Sequence, residues 1–68
     1  MDPNKVYRAM CNSMRAAEMG VWVEANHDRA RRLAKVLRHW LNNHVNWDLC
    51  FHKSEVEDRL NSVFKETQ

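Results

Sequence analysis

The sequence predicts an all-α fold, an antiparallel helical hairpin closed by a short third helix. Three observations lead there. Apolar residues recur at three- and four-residue steps through most of the 68 residues, the period of a helix face. One Gly and one Pro leave little punctuation, which suits helices joined by short connections. The one alternating segment, residues 47–52, has no second strand to pair with.

The first helix starts at Pro3. Asp2 can cap it, and proline fits the first helical position because its missing N–H has no partner there anyway. Val6, Met10, Met14, Ala17 and Val21 then line one face, and Tyr7 and Ala25 extend the stripe. Because the stripe stays in phase beyond Gly20, the helix is expected to continue to about Ala25. Glycine inside it would cost about 1 kcal/mol relative to alanine.

Asn26, His27 and Asp28 are expected to form a polar turn, with Asn26 or Asp28 capping a second helix that runs to about Asn43. So short a link favours antiparallel neighbours. Ala30, Leu33, Ala34, Leu37, Trp40, Leu41 and His44 share one side of this helix. Arg31, Lys35, Arg38 and Asn42 share the other, with Arg32 and His39 at its edge. Residues 42–48 are rich in turn formers. After them Trp47, Leu49 and Phe51 alternate with polar residues or cysteine, as in an extended connector laid across the hairpin. Ser54-Glu55-Val56-Glu57 has the pattern of a capping box, in which serine and glutamate each satisfy an open backbone N–H. The third helix then runs to about Lys65. Val56, Leu60, Val63 and Phe64 line one face, with Glu55, Asp58 and Ser62 opposite.

Residues 1–68 make a single small domain. At this length only about 60% of the unfolded surface is buried, so the core is marginal and a second subunit would enlarge it. Cys11 and Cys50 form no CxxC pair and read as small, partly buried thiols. The first 25 residues are interrupted by charges, and the longest apolar run, residues 19–23, is too short for a bilayer. A cytoplasmic setting with reduced thiols and no membrane association is expected.

The net charge of +2 is unevenly spread. Residues 27–53 carry six positive and two negative charges, and residues 54–68 two positive and four negative. A basic middle and an acidic tail can attract one another within a chain or between chains. The basic middle can also attract nucleic acid. Arg31, Lys35 and Arg38 would then contact phosphates, with Asn42 or His39 reaching a base edge. Ala16 and Gly20 have the spacing of a helix-turn-helix motif. Two features depart from it: Asn26 stands where an apolar residue is required, and Gly20 lies six residues before the expected cap of the second helix.

Other chemistry finds little support. His39 and His44 point to faces roughly 140° apart on a continuous helix, so they cannot share a metal ion. Cys50 and His52 lack an orienting third group, and no glycine-rich loop exists to cradle phosphate. No cofactor, no metal and no enzymatic activity are expected. What remains is surplus apolar surface. Met19 and Val23 lie off the core stripe of the first helix, Trp22 sits at its border, and Trp47 lies in the connector. Tryptophan and methionine are favoured on contact surfaces. A protein-interaction module, self-associating as a homodimer and binding another protein, is the expected function, with nucleic-acid binding as the alternative.

In its size, its expected cytoplasmic setting and its lack of catalytic motifs, the chain resembles the small orphan early-region proteins of lambdoid bacteriophages. The resemblance implies a regulatory protein that acts by binding rather than by chemistry, and it assigns no residue a role.

Overall fold

Asp2 and Pro3 begin the first helix as their chemistry requires. Asp2 is extended, with φ −89° and ψ 115°, and its Oδ1 accepts the Asn4 N–H at 3.0 Å. The computed structural model describes residues 2–43 and 51–66. Within them the chain forms three helices: α1 (Pro3–Glu18), α2 (Val23–Asn42) and α3 (Lys53–Glu66). The fold is all-α, and no strand occurs among the described residues. His44, Val45, Trp47, Leu49 and Cys50, to which the sequence assigned a helix end and a connector, lie outside the described residues.

The first helix does not continue through Gly20. It stops at Glu18, and the chain turns over residues 19–22. Gly20 adopts φ +80°, a left-handed conformation open to glycine because it lacks a Cβ. Its N–H donates to the Ala17 carbonyl and the Val21 N–H to the Ala16 carbonyl, both at 3.0 Å. These are the two bonds of a Schellman cap, which satisfies carbonyls that the helix end leaves open. The apolar stripe stays in phase past Gly20, but the backbone does not follow it. Val21 and Ala25, expected on the core face, are exposed.

The second helix therefore starts at Val23, earlier than the polar residues suggest. Asn26, His27 and Asp28 lie inside α2 rather than in a turn. Asn26 still serves the turn, because its Nδ2 donates to the Val21 carbonyl at 2.6 Å. At the other end Asn43 closes α2. Its backbone N–H and its Nδ2 both donate to the His39 carbonyl, at 3.0 and 2.8 Å. The third helix begins at Lys53, so Ser54 falls within its first turn instead of capping it. The His52 carbonyl accepts the Val56 N–H at 3.1 Å.

One core joins the three helices. Val6, Tyr7, Met10 and Met14 of α1 meet Ala30, Ala34 and Leu37 of α2 and Val56, Leu60 and Val63 of α3. α2 is the shared element: α1 packs along it, and α3 packs against it. The fully buried Ala30 and Ala34 leave room for the methionines of α1. Leu33, Trp40, Leu41, Phe51 and Phe64 close over the edges, as does the half-buried free thiol of Cys11. Phe51, just ahead of α3, sets its ring 4.5 Å from that of Tyr7 at a tilt of 49°, a favourable aromatic geometry.

Tyr7 sits in the shared core beside the Cys11 thiol and the Arg59 guanidinium. Burial pushes the phenol above its ordinary value of 10.0, and Cys11 adds to the rise, while the nearby Arg59 pulls the other way.

Two expectations follow from this core. Leu37→Ala should cost about 2–5 kcal/mol in denaturant unfolding, as core truncations do, which in a domain this small leaves little native population. Tyr7 is the one tyrosine of the chain, so ultraviolet absorbance titration reads it alone. Its midpoint should lie above 10 in the folded protein and return to the ordinary value in denaturant. Because folding raises this pKa, its contribution to stability is complete below pH 10 and declines as the pH climbs through the folded value. Tyr7→Phe should remove that alkaline decline. A folded midpoint at or below 10 would refute the assignment.

Candidate interaction surface at the turn between the first two helices

The turn that separates α1 from α2 also carries the largest exposed apolar side chains. Met19 is 73% exposed, Val21 48%, Trp22 83% and Val23 43%. The sequence singled out Met19, Trp22 and Val23, and the structure brings all three to this one turn. Val21 joins them, although its place in the apolar stripe had assigned it to the core. Trp47, the fourth expected contact residue, lies outside the described residues.

Trp22 stands at the N-cap position of α2 with φ 37° and ψ 61°, and it makes no side-chain capping bond. A left-handed backbone brings Cβ close to the following carbonyl oxygen and costs a non-glycine residue roughly 1–2 kcal/mol. Bulky residues are rarely found there. Among the described residues nothing repays this residue: its side chain is largely exposed, and serine, aspartate or asparagine would cap the helix better. An exposed aromatic side chain held on a strained backbone is characteristic of binding sites. The other described tryptophan behaves differently. Trp40 is half-buried against the core.

The basic face of α2 departs from the sequence expectation of a continuous solvated stripe. Arg31 forms an ion pair with Asp28, one turn earlier. Arg38 is turned onto α3, with its guanidinium carbon 4.6 Å from the Phe64 ring centroid and its Nη2 donating to Asn61 Oδ1 at 2.9 Å. Asn42 lines the groove between α2 and α3 beside Arg38 and Glu57. His39 is taken up in the helix cap with Asn43, whose Nδ2 lies 3.2 Å from its Nδ1. Of the residues proposed to contact nucleic acid, Lys35 alone is an exposed cation that neither an ion pair nor α3 engages among the described residues. Arg29 and Arg32, which the sequence reading passed over or set at the edge, are also exposed and outside any described ion pair.

The early start of α2 removes one objection to a helix-turn-helix reading, since its N-cap lies two residues after Gly20 rather than six or more. The other objection gains strength. Asn26 is not a core residue but a polar tie to the Val21 carbonyl. Glu24 and Asp28 place negative charge at the end of α2 that such a motif would turn toward phosphate.

Among the described residues no three of His, Cys, Asp and Glu come together as a metal-ligand set, and no helix is long and apolar enough to cross a membrane. The sequence matches no known protein family and no curated protein, and no solved structure matches the chain.

The two cations of α2 separate in a stability measurement. Arg38→Ala removes a cation–π contact and a hydrogen bond that hold α3, and should cost about 1–2 kcal/mol. Lys35→Ala should lie within about 0.5 kcal/mol of the parent, as exposed substitutions do. Equal effects in urea unfolding would show that Arg38 is as solvated as Lys35.

Proposed function

We propose that this chain is a non-enzymatic protein-interaction module that works through the turn between α1 and α2. In this reading α1 and α2 form an antiparallel hairpin closed by α3, a scaffold whose task is to present Met19, Val21, Trp22 and Val23. The chain self-associates and binds another protein, as a regulatory or accessory component of the cytoplasm. That is the role implied by its resemblance to small early-region phage proteins.

The observation that carries this reading is Trp22, 83% exposed on a left-handed backbone. Large aromatic side chains are enriched at binding hot spots because one of them removes much apolar area from water at small entropic cost. The core has no use for this one. Nucleic-acid binding is the weaker reading, since Arg31 and Arg38 are spent on Asp28 and α3 and only modest cationic charge remains.

Trp22→Gly tests the proposal, because stability and function should move in opposite directions. Glycine relieves the left-handed strain, so the variant should gain about 1 kcal/mol in denaturant unfolding. It should also lose capture of any partner from an extract of the native host, while Lys35→Ala keeps it. Full capture by Trp22→Gly would sink the proposal. So would salt-dependent retention of duplex DNA that Arg31→Ala, Lys35→Ala and Arg38→Ala together abolish.

A further inference from the structure

The apolar turn does not stand alone on its side of the molecule. Past Trp22 the exposed surface of α2 carries Arg29, Arg32 and Lys35, and among the described residues none is in an ion pair. The exposed surface of α3 carries Glu55, Glu57 and Asp58, equally outside any described ion pair. Within the chain, α2 and α3 are joined by Arg38 through Asn61 and Phe64 rather than by these charges. Among the described residues, three cations of α2 and three carboxylates of α3 thus lie outside any ion pair. Glu55 and Asp58 border an open depression of about 360 Å³ whose other walls include His52 and Arg59. The Arg59 guanidinium lies near the Tyr7 hydroxyl.

We propose that the occupant of the turn is a second copy of this chain, docked so that Trp22 of each copy enters the α3 depression of the other. This rests on the reading of the turn as the interaction surface, and it adds the partner and the place where it binds. The indole lies against the Arg59 guanidinium, a planar cation that suits an aromatic face. Arg29 and Arg32 then stand opposite Glu55 and Asp58 of the other copy. Charge complementarity supports this occupant, because α3 of a second copy supplies carboxylates to stand opposite Arg29 and Arg32.

Area argues the same way. Exposed apolar patches on monomers reach about 300–600 Å², whereas a stable interface needs about 800 Å² from each partner. Turn against turn falls short of that. A contact made twice, once at each α3, adds the flanking polar surface and approaches it. A two-fold axis makes the turn-to-α3 contact twice in one dimer. Such an arrangement closes at two and leaves no open end for filaments.

Sedimentation velocity across a concentration series reads the result. The parent should sediment as a dimer of about twice 8.2 kDa and dissociate as salt rises from 50 to 500 mM. Arg29→Glu with Arg32→Glu should raise the dissociation constant at least ~10-fold, and so should Glu55→Arg with Asp58→Arg, since each sets like charges against each other at both contacts. Mixing these two variants should restore the dimer, because every contact in the mixed pair is again between opposite charges. Far-UV circular dichroism should show all of them folded, as the altered side chains are exposed.

A monomeric parent at 100 µM overturns the inference. So does a dimer indifferent to both reversals, or a mixture that fails to recover. The two levels of the argument separate in Trp22→Gly. If the parent is monomeric but its capture of a host protein still depends on Trp22, the second-copy inference falls and the turn remains the interaction surface. If the dimer survives Trp22→Gly and only the charge variants break it, the turn is not the contact and both fall.

Discussion

The left-handed backbone at Gly20 is the constraint on which the arrangement depends. α1 must end with its last carbonyls satisfied, and a glycine with positive φ lets the Gly20 and Val21 N–H groups turn back onto Ala17 and Ala16. Once that cap forms, the chain turns over residues 19–22 and α2 begins at Val23. This start sets the rotation of α2 and so selects Ala30, Ala34 and Leu37 for the core. The same cap breaks the apolar stripe of α1. Val21 would have continued that stripe, and it is instead exposed at the turn with Met19, Trp22 and Val23.

The core of this small domain achieves economy by layering rather than bulk. Five of its larger side chains, Met10, Leu37, Val56, Leu60 and Val63, are almost wholly removed from water. The two alanines of α2 bring the backbone of that helix near α1. α3 is fastened at its edges by mixed contacts. Arg38 lies over Phe64 and bonds Asn61, and Phe51 packs at a tilt on Tyr7 under the reach of Arg8. Arginine serves here as a flat, partly apolar surface as much as a charge, which is why it can close a core edge that lysine would leave open.

This use of arginine changes the meaning of the basic segment. A surplus of positive charge in residues 27–53 invites comparison with nucleic-acid binders. Local chemistry divides it: Arg31 answers Asp28, Arg38 holds α3, and Arg29, Arg32 and Lys35 remain outward. Net charge counts all of these equally, whereas a partner meets only the last group. That group follows the apolar turn along the exposed surface of α2.

Periodicity by itself determined the all-α class and nearly the whole core, and the Asp2 cap with Pro3 at the first helical position determined the start of α1. Val6, Tyr7, Met10, Met14, Ala30, Ala34, Leu37, Val56, Leu60 and Val63 all follow from helical spacing, because burial and helix geometry impose the same three- and four-residue steps. The sequence also marked Met19, Trp22 and Val23 as apolar residues the core did not need. Tertiary structure decided the rest. Whether Gly20 interrupts a helix or sits within one depends on the sign of its φ, which hydrophobic phase does not encode. Asn26 looked like a turn residue because its side chain bonds backbone readily, and it does bond the turn, but from inside α2. Arg38 looked like a solvated cation because its partners, Asn61 and Phe64, lie 23 and 26 residues away. Contacts of that range exist only once the helices have packed, and no pattern within a single helix contains them.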